Sequence, residues 1–232
     1  VNPGRNEAWG MPCYDDINGL PKTVDMIVCS VPRSVIIDVI RDAGERGVSA
    51  ALIITAGFAE ADAEGERLQD ELIDVIESHG MHVIGPNCIG LANVLDGIVL
   101  TSTCSRKPIV GSIGLVSQSG ALAFTTFFER AADEDIGFSH IVSTGNEATL
   151  SVAHIVEDLR THDTVDVLGV YVEGLDDPRH VLRAVDDARQ DGTPVVVVKV
   201  GQSAVAEAAV RSHTGSIPGN DDIWAGALSQ VG

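Results

Sequence analysis

The sequence predicts an α/β protein built from two doubly wound parallel sheets. Short, continuous apolar runs such as Met26-Ile27-Val28 and Val195-Val196-Val197-Val198 recur along the chain. Such runs suit strands buried on both faces. Between them lie longer stretches with helical spacing, closed at Gly47 and Gly80 by glycines of the kind that end helices. The connections are short, as right-handed β-α-β crossovers require.

Residues 1–24 are rich in turn signals, with Asn2-Pro3-Gly4, Pro12, Asn18-Gly19 and Pro21. A strand is expected over residues 25–31, punctuated by Pro32, then a helix from about Ser34 to Arg46. A strand over Ala50 to Thr55, a helix over Ala61 to His79 with an acidic first turn, and a short strand at His82-Val83-Ile84 follow. The first β-α unit of such a sheet, where a glycine-rich phosphate loop would lie, is expected to be missing, with Val1-Asn2-Pro3 the tail of a lost strand. The absence of an initiator methionine also suggests a fragment or a processed chain. Residues 91–111 show no strong period, and the domain boundary is placed at Lys107-Pro108, giving units 1–107 and 108–232. In the second unit, strands are expected at 112–117, 138–143, 165–172 and 194–200. Helices are expected at 119–135, 149–161, 178–191 and 203–211, with a last helix over 221–231. This unit is flavodoxin-like in size.

The chain of 232 residues is 44% hydrophobic and 21% charged, a globular composition. Its net charge is −19, and Lys22, Lys107 and Lys199 are the lysines among 15 basic residues. A surface rich in Asp and Glu and poor in Lys stays hydrated in high salt. A halophilic source is one reading of this balance, and an ordinary acidic cytoplasmic protein is the other. Either way nucleic acid is an unsuitable partner, since its phosphates call for a basic patch. An anionic ligand would have to be held by local donors. No run of about 18 apolar residues suggests a membrane span, and the polar start does not read as a signal peptide. Cys13, Cys29, Cys88 and Cys104 have no CxxC spacing, so reduced thiols are expected.

Two stretches could carry chemistry. Ser117-Gln118-Ser119-Gly120 ends an apolar strand and opens a helix. The first N–H groups of a helix lack intrahelical partners and carry partial positive charge, so this terminus could bind phosphate without a basic residue. Ser119 is a suitable N-cap and Gly120 would admit a ligand close to the backbone. The second stretch is Arg211-Ser212-His213-Thr214-Gly215-Ser216. A neutral imidazole there is a usable nucleophile if an acceptor fixes its tautomer. Glu173, ending the strand before Gly174, is the candidate orienter. Taken alone, a histidine in such a tetrapeptide is a weak signal. The other histidines form no metal-like cluster, so no metal is expected. No GxSxG elbow and no GxxxxGK[ST] loop is present.

Five ordered motifs together carry a resemblance: Gly85-Pro86-Asn87-Cys88-Ile89-Gly90, Gly114-Leu115-Val116-Ser117-Gln118-Ser119-Gly120-Ala121-Leu122, Ser143-Thr144-Gly145-Asn146, Tyr171-Val172-Glu173-Gly174 and Ser212-His213-Thr214-Gly215-Ser216. With them the chain resembles the NDP-forming acyl-CoA synthetases, relatives of the succinyl-CoA synthetase α subunit, and above all the ADP-forming acetate- or acyl-CoA ligases. The resemblance implies a Rossmann-like CoA-binding domain, truncated at its start, followed by a flavodoxin-like ligase domain. It implies that acyl-CoA and phosphate give an acyl phosphate and CoA, and that the phosphoryl group passes to His213 and then to ADP, with the reverse making acyl-CoA. It further implies that Glu173 orients His213, that Ser119, Gly120 and Gly215 hold phosphate, and that Asn87 and Cys88 lie near the thiol end of CoA. Val31, Pro32, Thr55 and Gly57 fall on CoA-contact loops of the family. ATP or ADP with Mg²⁺ would bind on a separate ATP-grasp domain or subunit, for which this chain holds no sequence. The chain alone is therefore not expected to complete the reaction. An oligomeric, cytoplasmic enzyme is the expectation. Pro218 departs from the family pattern, which has a small or aliphatic residue there.

Two other classes compete. A non-catalytic CoA- or acyl-CoA-binding regulatory module would keep the fold but have no need of His213, Glu173 and Ser119-Gly120. A dinucleotide-binding dehydrogenase would be expected to show GxGxxG with a downstream acid, which is not seen.

Overall fold

The computed structural model describes residues 1–200 and Gly226. His213 and Gly215, and the helices expected at 203–211 and 221–231 (Gly226 apart), lie outside the described residues. The chain starts with a small antiparallel hairpin, β1 (Glu7–Ala8) and β2 (Met11–Pro12). Its turn residues Trp9 and Gly10 both have positive φ, the backbone twist that suits a two-residue hairpin loop.

The first sheet contains β3 (Met26–Cys29), β4 (Ala50–Ile53) and β5 (His82–Ile84), all parallel and in sequence order. Helix α1 (Arg33–Glu45) buries Ile36, Ile37, Ile40 and Ala43, and α2 (Ala63–Ser78) buries Leu72 and Ile76. These side chains share one core with Ile53, Phe58 and Val83. Asp62 caps α2 by accepting from Gly65 N at 2.7 Å, with Glu64 and Glu66 in the first turn. Acidic groups there complement the helix dipole. Leu52 and Ile84 point the other way, into a smaller core that also holds Cys88 and Val142. Val142 belongs to the second sheet, so this cluster joins the two units through apolar packing.

The second sheet has six strands in the order β11-β10-β8-β9-β6-β7. They are β6 (Gly90–Asn93), β7 (Ile98–Thr101), β8 (Val110–Ser117), β9 (Phe138–Ser143), β10 (Val167–Val172) and β11 (Val195–Lys199). Strands β8 to β11 run parallel, whereas β6 pairs antiparallel with β9 on one side and with its hairpin partner β7 on the other. The stretch without a clear sequence period thus holds a hairpin whose outer strand, β7, forms one edge of the sheet. Each strand is four residues long, too short for a period to stand out; β6 alternates buried and half-buried residues, whereas β7 leaves Ile98 and Val99 exposed and shows no alternation.

After β8 the chain turns helical at Gly120 and passes through a π-helical stretch, Leu122–Phe127, into α3 (Phe128–Asp133). Phe124 and Phe128 pack on one face of the sheet with Leu115 and Ile141. Helices α4 (Val152–Leu159) and α5 (Pro178–Gln190) cover the other face. Helix α5 does so with Val181, Ala184, Val185 and Ala188, a stripe at helical spacing. Every loop described below leaves the carboxyl end of a parallel strand, the edge where sheets of this kind bind ligands.

Candidate active site

The turn after β8 is tied to its neighbours on both sides. Thr144 N donates to Ser117 O at 2.9 Å, and Gln118 N donates to Tyr171 O at 3.1 Å. The Gln118 side chain then clasps the end of β10. Its Oε1 accepts from Glu173 N at 2.6 Å and Gly174 N at 3.1 Å, and its Nε2 donates to Gly174 O at 2.7 Å. Glu173, only 8% exposed, is therefore held at a fixed place relative to the next turn. That turn is Ser119, whose hydroxyl accepts from Leu122 N at 3.5 Å and whose carbonyl accepts from Ala123 N at 3.1 Å. The Ser117 hydroxyl donates to the same carbonyl at 2.7 Å.

Gly120 is buried. A Cβ there would lie 2.3 Å from Ile89 Cγ1 and 2.9 Å from Ser143 Oγ. The missing side chain admits the 85–90 loop rather than leaving a gap beside the backbone. The helix that follows carries the Phe128 N–H to Ala123 O bond of a π-turn, a feature often found near functional sites.

Glu147 was not legible as a site residue. It has positive φ (58°), and its Oε1 accepts from Thr144 Oγ1 at 2.8 Å and Val152 N at 3.0 Å. Burial pushes its carboxyl up to about 7, partly offset by the bonds from Thr144, Val152 and the Gln118 amide. Gln118 therefore links two carboxylate-bearing turns.

The 85–90 loop lies between the two sheets. It begins at a cis Gly85–Pro86 bond, and Asn87 has φ 58°. Asn87 N donates to Thr55 O at 2.9 Å, and Ile89 N donates to Ser143 Oγ at 3.2 Å. The Cys88 thiol is buried and donates to Ile53 O at 3.2 Å, and burial pushes its pKa up to about 12. Its side chain faces the core, so the loop could present only backbone at this position.

The remaining expected residues sit on the first unit's edge. Thr55 Oγ1 donates to Val31 O at 2.8 Å and accepts from Val31 N at 3.2 Å, fixing the loops after β3 and β4 to each other. Pro32 is exposed. Gly57 has φ 100°, and its carbonyl accepts from Arg33 Nη1 at 2.6 Å. Arg33 also pairs with Asp62 at 3.4 Å and stays about one-third exposed at 35%. It is the cation nearest these loops and was missed because an arginine opening a helix carries no local signal. The structure thus brings Asn87 and Cys88 to the junction of the sheets, packs Gly120 against Ile89 of the same loop, and ties the Glu173 turn through Gln118 to the turn at Ser119. It places Val31, Pro32, Thr55 and Gly57 on the adjoining edge.

A two-unit α/β chain with this edge is of the CoA-ligase type, and the chain belongs to the family described as succinyl-CoA ligase like flavodoxin domain, whose model matches residues 110–232. Residues 1–94 match a CoA binding domain. Over its full length the chain is 37% identical to an ADP-forming acetate–CoA ligase I of Archaeoglobus fulgidus, of which it spans 33%. It is 34% identical to subunit alpha of the ADP-forming acetate–CoA ligase II of Pyrococcus furiosus and spans 50% of it. Among solved structures, the dinucleotide forming acetyl-coenzyme A synthetase 1 of Ca. Korarchaeum cryptofilum, in complex with phosphate and ADP, superposes with a TM-score of 0.91 at 33% identity. That match covers 100% of this chain and 49% of the other. These matches bear out the resemblance seen in the five motifs. The chain thus spans between 33% and 50% of the length of these curated relatives. Among the described residues no helix is long and apolar enough to cross a membrane.

Proposed function

We propose that this chain is the α-type portion of an NDP-forming acyl-CoA synthetase, interconverting acyl-CoA, phosphate and ADP with acid, CoA and ATP. The observation that carries this reading is the Gln118 clasp. One side chain fixes the buried Glu173 turn to the turn that opens the helix at Ser119-Gly120. A phosphate cradle of helix N–H groups and a carboxylate for orienting an imidazole then share one rigid frame. The ADP-forming relatives support the same reading.

In this reaction a phosphate oxygen attacks the thioester carbonyl carbon, the C–S bond breaks, and the CoA thiolate leaves and takes up a proton. A ring nitrogen of His213 then attacks phosphorus, and the P–O bond to the acyl group breaks to release the carboxylate. Glu173 accepts from the other ring nitrogen and stabilises the charge that develops there. Ser119, Gly120 and Gly215 supply backbone donors to the transferring group, where positioning and charge stabilisation dominate catalysis. Transfer to ADP with Mg²⁺ occurs on an ATP-grasp portion, which restores the imidazole. Val31, Pro32, Thr55 and Gly57 shape the CoA-facing edge, and Arg33 provides a cation beside it. Asn87 and Cys88 contribute backbone near the thiol end. The unit boundary at 107/108, oligomeric assembly and a cytoplasmic location belong to the same reading.

The test is to incubate the full-length protein with acetyl-CoA and radiolabelled phosphate, or with γ-labelled ATP and Mg²⁺. An acid-labile, base-stable label on His213 is expected from both, and His213→Ala should abolish it. A wild-type protein that binds CoA yet takes label from neither source would instead be a CoA-binding regulatory module.

A further inference from the structure

Asn146 lies in the loop after β9, two residues beyond the Thr144 N–H that bonds Ser117 O. Its side chain leaves its own unit. Nδ2 donates to Glu60 Oε2 at 2.5 Å and to Gln69 Oε1 at 2.9 Å. Oδ1 accepts from Asn87 Nδ2 at 3.1 Å, and the backbone N–H donates to Pro86 O at 2.9 Å.

Both first-unit partners are themselves occupied in shaping the loop after β4. The Glu60 carboxylate accepts from Gly57 N at 2.5 Å and Phe58 N at 3.1 Å, and Gln69 Oε1 accepts from Ala59 N at 3.4 Å. One amide of the second unit therefore completes the network that holds residues 57–59 of the first. The role needs two donors and one acceptor on a short planar group, which asparagine has, whereas aspartate has no donor. The bonds to Glu60 from Gly57, Phe58 and Asn146 run from neutral N–H groups to a carboxylate, and bonds of that kind are stronger than neutral pairs.

The loop that carries Asn146 cannot easily drift. Gly145 has φ 61°, and a Cβ there would meet Pro86 O at 2.3 Å. On its far side Glu147 locks to Thr144 and Val152. One flank of this loop thus touches the turn at Ser117, and the other touches the loop at Gly57.

We propose that Asn146 is a positioning residue that couples the acyl-CoA side of the reaction to the phosphoryl side. It sets the 57–60 loop in register with the helix start at Ser119-Gly120. This rests on the function proposed above. It predicts an asymmetry between the two half-reactions that label His213. Labelling from acetyl-CoA and phosphate needs the two units in register, whereas labelling from ATP draws on the ATP-grasp portion.

In the full-length protein, Asn146→Ala should slow labelling from acetyl-CoA and phosphate about tenfold more than labelling from ATP, the effect of losing bonds to a carboxylate. Asn146→Asp should show the same asymmetry, because it places a second carboxylate against Glu60. Adding Glu60→Gln to Asn146→Asp should recover part of the acyl-CoA-driven rate by restoring a donor across the pair. Equal losses in both half-reactions, no loss in either, or no recovery in the double variant would overturn the coupling role while leaving the parent reading intact. Wild-type protein labelled from neither source would overturn the parent reading and this one with it.

Discussion

The loops at 31–35 and 55–60 of the first unit and those at 117–120, 143–147 and 173–174 of the second leave strands at the same kind of edge, yet they are held by different means. In the first, Pro32, Ser34, Val35 and Ala56 are exposed; the loops are joined by the Thr55 hydroxyl and by Arg33 on Gly57 O, and residues 57–59 are held by Glu60 and Gln69, which Asn146 reaches from the second unit. In the second, Ser117, Ser143, Thr144 and Glu173 are buried polar residues, bonded through one another and through Gln118. Buried polar networks that are fully satisfied rigidify a site, and exposed segments such as residues 34–35, with few bonds, adapt to a ligand. Under the proposed function, the contrast would match a long, flexible thioester on one side and a small anion on the other.

Adding one methyl group on each side tests this contrast most directly. Gly145→Ala puts a Cβ 2.3 Å from the Pro86 carbonyl, a backbone atom, at φ 61°. The expected cost is about 3 kcal/mol, or a fall of about 6–12 °C in the thermal midpoint. Gly57→Ala at φ 100° meets only the flexible Arg33 side chain, at 3.2 Å. About 1–2 kcal/mol of backbone strain is expected there. Equal losses in calorimetry would erase the distinction between a turn packed against backbone and one packed against a movable side chain.

A pH series probes the rigid side alone. Burial raises the Glu147 carboxyl from 4.5 to about 7. The folded state therefore holds this proton more tightly than the unfolded chain does. The resulting stability is fully present below about 4.5 and is lost as pH rises through about 7. Glu147→Gln removes this titration. The thermal midpoint of the wild type minus that of the variant should fall between about pH 5 and about pH 8. A difference that stays flat would mean Glu147 is solvated and the network is looser than it looks.

The smallest effect concerns the loop between the two edges. With its thiol pushed up to about 12, Cys88 should resist iodoacetamide at about pH 8, while the exposed Cys104 is alkylated readily. Peptide mapping that found Cys88 labelled as fast as Cys104 would show that the 85–90 loop opens.

Much of this was legible in the residues. The apolar runs at Met26–Cys29, Phe138–Ser143 and Val195–Lys199 all became parallel strands, but only Phe138–Ser143, in the middle of its sheet, is buried throughout; β3 and β11 stand at the ends of the sheet orders among the described residues and leave Val28, Val196 and Val198 exposed. Glycines after α1 and α2 marked their ends, since Gly47 and Gly80 both take positive φ. The hairpin of β6 and β7 was not legible, because its stability comes from pairing with β9 some 50 residues away. Glu60, Gln69 and Glu147 were not legible either. A polar residue in a turn reads as solvated until a distant element is seen to bury it.

The sequence by itself determined the order of the longer strands and helices, outside the β6–β7 hairpin, and through its five motifs the family resemblance. These follow from local periodicity, turn chemistry and motif identity. Only the tertiary structure decided that Gly120 is small to admit Ile89, that Cys88 faces the core, and that Gln118 and Asn146 each bind turns separated by 55 residues or more. Hydrogen bonds between distant turns depend on how sheets stack and loops cross, and no local pattern in a chain records that distance.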